Sequence, residues 1–118
     1  MAPTQAYYPK AEVDIKNTKI PNRRANELDN LWLAYLKDNP ENIKPAGKKY
    51  SIDQFCRYTV DLTENGNLAY NTLKLVKQKR VNPAYNLAAI EFIRSQDLKL
   101  KKKKKDQPLT IDFKYYAF

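Results

Sequence analysis

The chain has 118 residues, 42% of them hydrophobic, and carries 22 Lys and Arg against 13 Asp and Glu for a net charge of +9. That length suits one small domain with a single modest core, and the apolar share excludes wholesale disorder. With no histidine and one cysteine, the chain holds no Ser-His-Asp or Cys-His arrangement, no imidazole base near neutral pH and too few ligands for zinc.

Only two glycines occur, Gly47 and Gly66, which disfavours tight-turned β architectures and points to helices with short polar connections. No apolar run follows Met1 and no segment approaches the length of a membrane span, so a cytoplasmic protein, or a virion component assembled in the cytoplasm, is expected. Residues 1–21 read as an extended arm, because Pro3, Pro9 and Pro21 forbid a long helix. Within the arm Val13 and Ile15 alternate weakly, as in a short strand.

A helix is predicted over residues 23–37, capped by Asn22. Its apolar stripe is Leu28, Leu31, Trp32, Tyr35 and Leu36, at helical spacing. Asn39-Pro40 ends it, since proline disfavours helix at the residue before it. After a loop containing Pro45 and Gly47, a second helix is expected from Ser51. Ser51 and Gln54 have capping-box spacing, and Ile52, Phe55, Cys56 and Thr59 share one side. The stretch 58–76 is ambiguous. Asn65-Gly66 is a hairpin signal, but Leu73-Lys74-Leu75-Val76-Lys77 alternates only partly, and a helix–turn–helix is favoured over a hairpin.

A clearer helix covers residues 84–96. Asn82 is its N-cap, Pro83 stands at the first position, and Tyr85, Ala88, Ala89, Phe92 and Ile93 share a face that Leu87 and Ile90 widen. Residues 101–105 are five consecutive lysines, expected to stay extended through self-repulsion. After Pro108 the alternation of Ile111, Phe113 and Tyr115 is strand-like. The expected architecture is therefore mainly α: a single domain of three to four helices over 22–98, an N-terminal arm over 1–21, and a basic linker with a strand-forming C-terminal arm over 99–118. Its core would be Leu28, Leu31, Trp32, Leu36, Ile52, Phe55, Leu73, Val76, Phe92 and Ile93.

Catalysis is not expected. Cys56 reads as a small core hydrophobe rather than a nucleophile. Glu12/Asp14 and Glu27/Asp29 read as solvated charge rather than magnesium ligands, and Ala46-Gly47-Lys48-Lys49 departs from a phosphate loop at both defining positions. No cofactor, metal, membrane or small-molecule substrate is implied.

The charge distribution is more specific. Residues 66–105 carry eleven basic side chains against Glu91 and Asp97, an excess equal to that of the whole chain. Such a concentration attracts polyanions. The expected function is a non-enzymatic protein that contacts phosphates of nucleic acid, DNA or RNA. The contacts would come from Lys74, Lys77, Lys79 and Arg80 and from Lys99, Lys101, Lys102, Lys103, Lys104 and Lys105, with Arg23, Arg24, Lys48 and Lys49 extending the patch. The alternative is a structural or adaptor subunit of a larger assembly, a virion or ribonucleoprotein particle. It would dock through aromatic residues of the arms: Tyr7, Tyr8, Phe113, Tyr115, Tyr116 and Phe118.

Overall fold

Four extended stretches of this chain pair into one antiparallel sheet, and three of them turn alternate side chains into the core. The computed structural model describes residues 10–39 and 52–117. In chain order the elements are β1 (Lys10–Lys16), α1 (Asn22–Asp38), β2 (Ile52–Leu62), β3 (Leu68–Lys79), α2 (Pro83–Ser95) and β4 (Leu109–Ala117). The sheet runs β1-β4-β2-β3, every neighbouring pair antiparallel. It follows that β1 and β2 are parallel with β4 between them, and β3 and β4 are parallel with β2 between them. Each helix crosses from one member of such a split pair to the other.

The expectation of a mainly α domain with flanking arms is therefore wrong. The second helix is a strand, the favoured helix–turn–helix is the β2–β3 hairpin, and residues 10–16 and 109–117 of the two expected arms are strands of the sheet. The reason lies in β2. Its inward residues are Gln54, Cys56, Tyr58 and Val60, all buried, while Phe55 stands half-exposed on the opposite face. A buried glutamine and an outward phenylalanine invert two positions of the period-2 pattern, and the apolar residues left over fall at helical spacing. In β3 the alternation is broken by bulges, marked by register shifts at Arg57/Tyr58 and Thr59/Asp61. At the second of these Thr72 Oγ1 accepts from the Asp61 N–H at 2.8 Å and donates to the Ala69 carbonyl at 2.6 Å, filling the interrupted ladder.

Both helices lie on one face of the sheet. Trp32 of α1 is fully buried among Tyr85 and Phe92 of α2 and Phe113 of β4, with ring centroids 5.6, 5.2 and 5.3 Å away. Around it pack Leu28, Leu36, Ala88, Ile93, Ile111 and the inward residues of β1, Ala11, Val13 and Ile15. Of the expected core, Leu28, Trp32, Leu36, Phe92 and Ile93 are buried and Leu73 partly so, whereas Leu31 and Val76 are exposed. Leu87, expected to widen the apolar face of the 84–96 helix, is 61% exposed. The Ile52 side chain and Ser51 lie outside the described residues.

Local signals at the helix ends explain their bounds. Asn82 Oδ1 accepts from the Tyr85 N–H at 2.8 Å and Pro83 takes the first position of α2. At α1 the cap position falls to Pro21 rather than Asn22, with no side-chain cap. Asp29 of α1 reaches β1 instead, accepting from the Val13 N–H at 2.8 Å. This closes part of the free backbone along the β1 edge.

Gly66 is in the left-handed region at φ +85° in the β2–β3 turn, and a Cβ there would stand 2.8 Å from the Leu100 carbonyl oxygen. The same glycine's carbonyl accepts from the Leu100 N–H at 2.8 Å. The lysine run that follows is not an extended linker. Asn17, at φ 70°, clasps it. Its backbone carbonyl accepts from the Lys103 N–H, its Oδ1 accepts from the Lys104 N–H, and its Nδ2 donates to the Lys104 and Gln107 carbonyls. Thr18 pairs with Lys102 and donates from its hydroxyl to the Lys101 carbonyl at 2.7 Å. Self-repulsion of the lysines is thus overcome by backbone hydrogen bonds that leave the side chains of Lys101, Lys103, Lys104 and Lys105 in water.

Candidate nucleic-acid interface

Among the described residues the second face of the sheet carries no helix. Cross-strand register arranges it in four rows: Lys10, Tyr116 and Asp53; Glu12, Lys114, Phe55 and Lys79; Asp14, Asp112, Arg57 and Lys77; Lys16, Thr110, Thr59 and Lys74. On β1 Glu12 and Asp14 are balanced by Lys10 and Lys16, whereas β3 contributes Lys74, Lys77 and Lys79 and no acidic residue, so the positive excess lies at the β3 edge.

At its centre Asp112 is fully buried although it points away from the core. Arg57 donates to it from Nε at 2.7 Å and from Nη2 at 3.0 Å, a bidentate pair, and Lys16 Nζ lies 3.3 Å from its Oδ2. Burial pushes the Asp112 carboxyl upward, but the hydrogen bonds and charges of Arg57 and Lys16 outweigh it and hold the group below its ordinary range. Lys16 also lies 4.0 Å from Asp14, which offsets the repulsion between Asp14 and Asp112 across the β1–β4 pair. Arg57 is immobilised by Asp112, and its guanidinium sits 5.3 Å from the centroid of the Phe55 ring.

Phe55 and Tyr116 flank a shallow depression of about 280 Å³ whose rim includes Arg57, Lys77, Lys79, Lys114 and Asp53. Asp53 takes Lys79 at 3.0 Å and Arg80 at 2.7 Å. The hydrogen bond from Lys79 is the largest cause of its carboxyl being lowered. Lys74, Lys77 and Lys114 form no ion pair among the described residues.

No family model, curated protein or solved structure matches this chain.

The structure divides the expected basic residues. Lys74, Lys77 and Lys79 lie on the open face, and Arg80 beside it is held by Asp53. Lys99, bonded to Asn67 Oδ1 at 2.7 Å, and the run from Lys101 to Lys105 form a loop against the β2–β3 turn. Within that loop Lys102 pairs with Asp61, which leaves Lys101, Lys103, Lys104 and Lys105 exposed. Arg23 and Arg24 begin α1 on the helix layer, opposite the open face, and Arg24 pairs with Glu27.

The expected docking aromatics fare differently. Phe113 is 1% exposed and Tyr115 is buried, both in the protein's own core, while Tyr116 is half-buried on the open face. Tyr7, Tyr8, Phe118, Lys48 and Lys49 lie outside the described residues. Sequence reasoning missed Phe55, Arg57 and Lys114. Reading 53–61 as a strand would have found the first two, since Asp53, Phe55, Arg57, Thr59 and Asp61 then share one side. Among the described residues no helix is long and apolar enough to cross a membrane.

Proposed function

We propose that this protein binds nucleic acid without catalysing a reaction, and that its phosphate contacts come from the uncovered sheet face and the neighbouring lysine loop. The observation that carries the reading is the set of cations on the open face that form no ion pair among the described residues, Lys10, Lys74, Lys77 and Lys114, where no described helix covers the sheet. A cation already neutralised by a carboxylate releases no counterion when a phosphate arrives; an unpaired one does. The loop adds Lys101, Lys103, Lys104 and Lys105, presented on a backbone held by Asn17 and Thr18, so binding need not order it first. Burial of Phe113 and Tyr115 removes two of the aromatic side chains on which an assembly-subunit role would rest.

The test is affinity for labelled DNA and RNA between low and physiological salt. Affinity should fall log-linearly with salt, and Lys74→Gln with Lys77→Gln should make that slope shallower by roughly one for each phosphate no longer neutralised. Changing Lys101, Lys103, Lys104 and Lys105 to Gln, with Lys102 kept on Asp61, should do the same without unfolding the loop. Salt-insensitive binding, or none at low salt, sinks the proposal.

A further inference from the structure

Phosphate binding alone does not explain why a phenylalanine stands on the open face. Phe55 occupies the middle of its row, flanked by Lys114 on β4 and Lys79 on β3. Tyr116 is its diagonal neighbour, one row away on the adjacent strand, a separation on the order of 7–8 Å. In a duplex the bases are stacked on one another at about 3.4 Å per step and present only their edges. Two aromatic rings on an open sheet face have no base plane there to stack on. A single strand can splay neighbouring bases to the wider spacing and lay one on each ring, with its phosphates reaching lysines on either side. The Arg57 guanidinium, held by Asp112 with its carbon 5.3 Å from the Phe55 ring centroid, adds a planar cation at no further ordering cost.

We propose, resting on the nucleic-acid reading above, that the open sheet face takes single-stranded nucleic acid, with bases stacked on Phe55 and Tyr116 and phosphates held by Lys77 and Lys114. Stacking is tolerant of base identity because every base has a π-face, so the site favours strandedness over sequence.

The experiment compares a labelled pyrimidine single strand, as DNA and as RNA, with the corresponding duplexes, using the intact chain. Phe55→Leu keeps apolar bulk and removes the ring. It should lower single-strand affinity roughly tenfold to a hundredfold, leaving the salt slope and duplex affinity unchanged. Phe55→Trp should restore affinity and add an emission quenched by the strand. Trp32, the one tryptophan of the native sequence, is buried and gives a constant background. A Phe55→Leu protein that binds single strands as tightly as the native one, while Lys77→Gln weakens them, overturns the stacking proposal and leaves phosphate binding standing. Equal affinity of the native protein for duplex and single strand also overturns it. Absence of binding to every probe at low salt removes both readings together.

Discussion

Asp112 is the residue whose chemistry most constrains this face. It is a fully buried carboxylate on the outward side of a sheet, made tolerable only by Arg57 and Lys16. Its carboxyl is held below the unfolded value of about 3.9, so ionisation favours the folded state. The associated stability is present above that value and disappears as pH falls through the depressed folded one. Asp112→Asn should therefore cost about 1.5–3 kcal/mol at neutral pH, the range for hydrogen bonds to charged groups. The gap between native and variant should narrow below about pH 4; a urea-denaturation series over pH measures it, and a gap independent of pH would show that the carboxylate charge is not what matters. Cys56 on the other side of the same sheet is fully enclosed, and burial followed by the Asp112 charge pushes its thiol up to about 12. It is therefore an inert packing residue rather than a nucleophile.

Among the elements, β3 is the exposed edge. Its partner on one side is β2, and on the other no strand pairs with it among the described residues. The opposite edge, β1, is partly closed by the Asp29 hydrogen bond to Val13, but β3 has only its lysines, with Leu75 and the bulged Val76 exposed between them. Lysines on an edge strand disfavour pairing with another copy, so Lys74 and Lys77 serve solubility as well as any anion. Replacing both with Thr, a good strand former without charge, should make the protein self-associate with rising concentration, measurable by sedimentation. A variant that stays monomeric would assign these lysines to binding alone. The β2–β3 turn is equally constrained, because Gly66 combines a left-handed backbone with a close approach to Leu100 that leaves no room for a side chain.

At the scale of the whole molecule, β4 makes the protein one cooperative unit. It lies between β1 and β2, and its inward residues Leu109, Ile111, Phe113 and Tyr115 are all buried. Deleting residues 107–118 as though they were an arm removes the central strand, uncovers Cys56, Tyr58 and Val60, and leaves β1 without a partner. The truncated chain should show no cooperative unfolding transition by circular dichroism. A folded product with native-like melting would mean that β1 and β2 can close the sheet without it. The net charge of +9 is likewise organised only at this scale. The concentrated basic stretch separates into β3, a loop at the far end of the β2–β3 hairpin, and Arg94 of α2, which lies over Tyr70 at 4.8 Å.

The two helices were legible in the residues because their apolar positions recur at the helical period and Asn82-Pro83 is a local start signal. The strand character of 109–117 was equally local, and so was the basic excess. The rest was not. β2 hid behind an inward Gln54 and an outward Phe55, and β3 behind bulges, so their identity came from pairing partners distant in the chain. That Phe113 is core and Phe55 is surface depends on which strand neighbours which and on which face the helices cover. Local sequence carries periodicity and caps, which act over a few residues. Strand order, and with it the juxtaposition of Phe55, Tyr116 and the lysines, is set by long-range burial, which only the folded chain decides.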